Sequence, residues 1–185
     1  MNSSVSDCKI RVLKDNSKLY YQFNCDSVWL TLESSTHKKR IIYSMTGNTY
    51  KELYGYTFRL GYQFGHEFNK YLLFRSGCPA NGSCNFVLVN KSSGKTYKEL
   101  GELIYDHQTN KFYNFLMYLD NKNKHTYLVI DYPDNNKKYL VRLKRFNYSG
   151  FAPEYEFDKI EVKNNILTLI YSDQRLKLNL ANYPG

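Results

Sequence analysis

An antiparallel all-β domain is predicted for this chain from three observations: its aromatic and β-branched content, the alternation of apolar and polar residues over short runs, and the turn residues that recur between those runs. The chain has 185 residues, with 19 Tyr and 11 Phe against a single Trp and four Pro. That is enough chain to bury a core, and one domain spanning residues 1–185 is expected. The expected architecture is a meander of about 12–15 short strands forming a sandwich or barrel, with a small propeller-like arrangement as runner-up.

Taken in order, the first strands are expected at 8–14, 18–25, 27–33 and 39–44, separated by Asn-Ser and Ser-Ser-Thr turns. The segment 48–53 is the best candidate for a helical turn. Strands follow at 56–64, 70–76, 85–90, 95–100, 102–106 and 111–120. The last group is 125–132, 137–144, 155–162, 166–172 and 174–180, punctuated by Pro-Asp-Asn-Asn and Asn-Asn. The stretch 146–153 is the best candidate for a boundary.

An internal echo supports the blade-like alternative. Gly47-Asn48-Thr49-Tyr50-Lys51-Glu52-Leu53 recurs as Gly94-Lys95-Thr96-Tyr97-Lys98-Glu99-Leu100, at six of seven positions. A weaker copy relates 86–100 to 127–143. Repeats of about 40–50 residues with three or four strands each are the spacing of propeller blades. A good turn-then-strand sequence used twice explains the heptapeptide equally well.

The four cysteines are read through hairpin geometry. With a two-residue turn at Asn16-Ser17, residues whose numbers sum to 33 oppose one another, which sets Cys8 against Cys25. Cys78 and Cys84 bracket the compact Pro-Ala-Asn-Gly-Ser loop and could staple it. Two disulfides imply an oxidising compartment, periplasmic or extracellular. The spacings do not match paired zinc ligands, so no metal is expected, and no cofactor. Met1-Asn2-Ser3-Ser4 lacks an apolar signal region, so an exported chain is expected to have lost its leader.

Lys and Arg number 26 against 17 Asp and Glu, a formal charge of +9. The charge is spread along the chain, with dense runs only at Lys38-Lys39-Arg40 and Lys137-Lys138, both at expected turns. An acidic protein partner is therefore expected, and not nucleic acid. No stretch approaches the roughly 20 apolar residues of a membrane helix, so no membrane span is expected.

No catalytic constellation is apparent. His66-Glu67 and Asp106-His107 are the His–carboxylate neighbours, but consecutive strand residues point to opposite faces. Glu33, Glu67, Glu102, Asp106, Asp131 and Glu154 could supply a glycosidase pair only at roughly 5–9.5 Å separation. The binding candidates are Tyr54, Tyr56, Phe58 and Tyr62, which share strand parity with Phe64, and Arg75, Asn81 and Asn85 around the cysteine-bracketed loop. The expected function is an exported, non-catalytic protein-binding module of inhibitor or immunity type. The alternative is a glycan-binding protein or glycan hydrolase with a Tyr-lined groove.

Overall fold

The computed structural model describes residues 9–46, 60–77, 84–122, 125–146, 148, 150 and 152–185. Among these the chain is all-β, with fourteen strands and three short 3-10 turns. Four antiparallel sheets follow one another along the sequence, each a simple meander. Sheet 1 is β1 (Arg11–Val12), β2 (Lys18–Phe23), β3 (Ser27–Glu33) and β4 (Lys39–Thr46). Sheet 2 is β5 (Leu60–Glu67), β6 (Tyr71–Gly77), β7 (Asn85–Asn90) and β8 (Thr96–Gly101). Sheet 3 is β9 (Leu116–Lys122), β10 (His125–Tyr132) and β11 (Lys137–Arg142). Sheet 4 is β12 (Lys159–Lys163), β13 (Ile166–Tyr171) and β14 (Gln174–Asn179).

Two compact units divide the chain, the break in the main path falling at Leu100/Gly101, not within 146–153. Sheets 1 and 2 belong to the first unit. Period-two alternation places Leu19, Leu30, Leu32, Leu72, Phe74, Val87 and Val89 in one shared cluster. Sheets 3 and 4 belong to the second unit, whose cluster includes Met117, Leu128, Ile130, Phe157, Leu167 and Leu169. Several of these side chains are fully buried, and burial on this scale contributes about 1.5–3 kcal/mol per large apolar side chain.

Local chemistry explains most connections. Asn164 and Asn165 both take positive φ, as do Ser172 and Asp173, in the two-residue hairpin loops of sheet 4. Gly94, which opens the second copy of the heptapeptide, has φ +70, and a Cβ there would lie 2.9 Å from Arg40 Cδ. The weaker copy corresponds to two hairpins, β7–β8 and β10–β11. The first copy, 47–53, and the helical turn expected there lie outside the described residues.

Three expectations need correction. The first hairpin pairs Arg11 with Leu19 and Val12 with Lys18, so opposed residues sum to 30, not 33. The cause is a three-residue loop with Asn16 in the left-handed region, closed by Leu13 N–H donating to the Ser17 carbonyl at 2.8 Å. Cys25 consequently lies in the β2–β3 turn as a free, exposed thiol and forms no bridge with Cys8. Cys84 is in the disulfide-bonded state; Cys8 and Cys78, and so the expected staple of the 78–84 loop, lie outside the described residues. The segment 102–106 is no strand; it contributes only the isolated Asp106–Lys111 bridge. The start of 155–162 is instead a 3-10 turn, Pro153–Glu156, which Pro153 opens at its first position, where its fixed φ suits a helical turn and its missing amide costs nothing.

Candidate functional site

The first candidate is the face of sheet 1 turned away from its core. Register builds it in rows: Val12, Lys18, Glu33 and Lys39; then Tyr20, Thr31 and Ile41; then Gln22, Trp29 and Ser44. A β-bulge after Leu30 sends Ile42 into the core and leaves Ile41 on the outer side. Val12 and Ile41 are each 62% exposed and occupy the two margins of the face, roughly 14 Å apart by strand spacing. Ile10, two residues before Val12, is 59% exposed.

A polar clasp stiffens this face. Tyr20 Oη donates to Glu33 Oε2 at 2.8 Å, His37 Nδ1 lies 3.0 Å from Glu33 Oε1, and Lys39 Nζ lies 3.8 Å from Glu33 Oε2. The bond from His37, then that from Tyr20, holds the Glu33 carboxyl below its usual value. Trp29 Nε1 and Thr31 Oγ1 both donate to Gln22 Oε1, at 3.2 and 2.7 Å. Residues 9–46 carry seven Lys and Arg against three Asp and Glu, so apolar side chains here are set among cations.

The second candidate is a groove of about 410 Å³ in the second unit. One wall is the turn at 106–111 with Tyr113; the other is the run 157–163, which contains β12. Asp106 folds the turn, accepting from the amides of Gln108 and Thr109 and from Thr109 Oγ1 at 2.6 Å. Burial opposes ionisation of Asp106, but these bonds prevail and its carboxyl sits below the usual value. Tyr113 Oη donates to the Ile160 carbonyl at 3.4 Å, and burial raises that phenol. The Nδ1 atom of His107 is buried without a hydrogen-bond partner among the described residues, and the ring packs edge-on to Tyr155 at 4.8 Å.

The sequence-derived binding residues are dispersed. Tyr54, Tyr56, Phe58 and Asn81 lie outside the described residues. Tyr62 and Phe64 do share a face, as parity requires, but Tyr62 is stacked between Tyr43 at 4.7 Å and Phe74 at 5.3 Å against the core. Arg75 is on the opposite side of the same sheet, its guanidinium over the Phe86 ring at 5.8 Å. Asn85 opens β7 opposite Gly77. Strand alternation therefore separates Tyr62 from Arg75.

Most of the candidate carboxylates have structural engagements. Lys91 Nζ lies 2.7 Å from Glu67 and 2.8 Å from Asp15, and Lys14 N–H donates to both Glu67 oxygens. Desolvation would lower the Lys91 amine, but its two carboxylate partners raise it overall. Glu102 accepts from Tyr148 Oη at 2.9 Å; burial and this carboxylate push that phenol to about 12. Asp131 accepts from Tyr118 Oη at 3.1 Å with Lys138 at 3.3 Å. The β12 groove was not legible as a site, since Lys159, Glu161 and Lys163 read as an ordinary solvated strand face. Among the described residues no group of three or more potential ligands could hold a metal ion. No protein-family model matches the chain, and a search of curated proteins finds no match.

Proposed function

We propose that this chain is an exported, non-catalytic binding protein that holds another protein, of inhibitor or immunity type, on the outer face of sheet 1. The observation that carries the reading is the placement of Val12 and Ile41, each 62% exposed, around Tyr20 and Trp29 on a face whose end row carries Lys18 and Lys39. Exposed apolar groups with a polar rim mark interaction surfaces, and Trp and Tyr supply interface anchors. The cationic end row fits a partner with acidic margins and would accelerate its association at low salt. The disulfide-bonded state of Cys84 supports the exported compartment.

The glycan reading has less support, because Tyr62, one of the tyrosines meant to line its groove, is packed on the core. The test immobilises the full chain beside a Val12→Glu/Ile41→Glu variant and exposes both to the producing cell's envelope fraction and to competitors' secretions over a salt series. The expected result is an acidic protein kept by the unaltered chain and lost by the variant, with retention falling as salt rises. Equal retention by the variant would contradict the assignment of the face. Binding confined to a glycan array would favour the second reading.

A further inference from the structure

The groove in the second unit carries an inference independent of sheet 1. Among the described residues β12 pairs only with β13, so its other edge is the edge of sheet 4. In an antiparallel ladder, alternate residues turn both backbone groups away from the partner strand. Tyr113 identifies which residues do so here: its hydroxyl donates to the Ile160 carbonyl at 3.4 Å, and Val162, two residues on, turns its backbone groups the same way. One side chain thus occupies a carbonyl that an added strand would use. The bond to Ile160 is long, hence weak.

The side chains along this edge set a charge pattern. Ile160 and Val162 pack into the core, leaving Lys159, Glu161 and Lys163 on the other face. Lys159 and Glu161 are paired at 3.0 Å, but their side chains are 46% and 44% exposed, so the pair is readily exchanged for others. Directly opposed residues on neighbouring strands interact through their side chains, and like charges there repel. A strand laid along β12 is therefore favoured when an acidic residue faces Lys159, a basic residue faces Glu161 and an acidic residue faces Lys163. His107, in the facing wall, contributes a buried ring nitrogen for which the described residues provide no partner.

We propose that this groove binds an extended peptide segment of a protein partner, added as a strand to the edge of β12, with acidic and basic residues alternating as Asp/Glu-x-Lys/Arg-x-Asp/Glu. The Tyr113 hydroxyl is the internal competitor that the peptide backbone displaces. This mode takes its affinity from main-chain hydrogen bonds and its specificity from alternate side chains.

The test titrates the full chain, isotope-labelled for amide NMR, with the peptide Thr-Glu-Val-Lys-Val-Glu-Thr and with its charge-reversed counterpart Thr-Lys-Val-Glu-Val-Lys-Thr. The first is expected to shift the Ile160 and Val162 amides and to bind about tenfold more tightly than the second. The surface variant Lys159→Glu/Glu161→Lys/Lys163→Glu is expected to invert that preference. Tyr113→Phe is expected to tighten binding about threefold by removing the competitor. Equal affinity for both peptides, no inversion in a variant whose spectrum shows it folded, shifts confined to other residues, or displacement by an oligosaccharide alone would each overturn the proposal. A Val12→Glu/Ile41→Glu chain should bind the peptide normally, which separates this site from the sheet 1 face.

Discussion

Sheets 1 and 3 form the same clasp in different surroundings. In each, a tyrosine on one strand donates to a carboxylate thirteen residues later on the next, Tyr20 to Glu33 and Tyr118 to Asp131. In each, the residue directly opposite on the third strand is a lysine, Lys39 or Lys138. The clasps are offset by 98 residues, Tyr20 to Tyr118, close to twice the 47-residue spacing of the repeated heptapeptide. The surroundings differ at two registered positions. Sheet 1 has half-buried Lys18 where sheet 3 has Leu116, 2% exposed, and it has Thr31 where sheet 3 has Val129, both buried, so the second pair differs in polarity alone. The clasp is thus a property of the meander register, while the residues beside it decide whether the face is polar or apolar.

Exchanging those residues should give unequal effects. Leu116→Lys buries a cation opposite Asp131, a carboxylate already held by Tyr118 and Lys138, and should cost about 3 kcal/mol in urea unfolding, whereas Lys18→Leu should stay within about 0.5 kcal/mol. Similar losses from both would mean that the two faces are equally closed.

Cations should separate in the same way. Lys91→Met removes the cation from the buried Glu67 carboxylate, which keeps the Lys14 amide, and should cost about 3 kcal/mol, while Lys39→Met, at an exposed lysine, should cost at most about 0.5 kcal/mol. The folded Lys91 amine is held above its ordinary value, so its contribution is complete below the unfolded pKa and is lost as pH rises through the folded one. Unfolding curves across alkaline pH should therefore converge for the Lys91→Met variant and the unaltered protein.

The middle of each face offers a finer comparison. Val129→Thr buries a hydroxyl on an apolar face and should cost about 2 kcal/mol, and Thr31→Val, which loses its bond to Gln22, about 1 kcal/mol.

The smallest expected effect is electrostatic. The Glu33 carboxyl is depressed, first by His37 and then by Tyr20, so its contribution is present above the unfolded carboxylate pKa and lost as pH falls through the folded one. In an NMR titration, His37→Ala should move Glu33 back toward the ordinary value, and by more than Tyr20→Phe does.

The strand pattern was legible because alternation and turn chemistry are local. The segments 27–33, 85–90 and 125–132 have the boundaries expected of them, and Asn164-Asn165 forms the predicted turn. The first hairpin differs from its expected register because whether a loop has two or three residues depends on Asn16 taking a left-handed conformation, and that difference removes the Cys8–Cys25 pairing. The clasp was hidden because the 98-residue offset preserves a face pattern and few identities: across 18–33 and 116–131, Tyr20/Tyr118 and Leu30/Leu128 are the identical pairs. The β12 groove was illegible because its walls, 106–113 and 157–163, are distant in sequence and meet only through the fold.

The most direct test of the sheet 1 assignment places a photo-crosslinking residue at Ile41 in one preparation and at Leu140 in another. Both positions are exposed strand residues beside a clasp, at 62% and 49%. The account predicts a covalent adduct with an acidic protein from position 41, diminishing with salt, and none from position 140. Adducts of equal yield from both positions, or from position 140 alone, would contradict it.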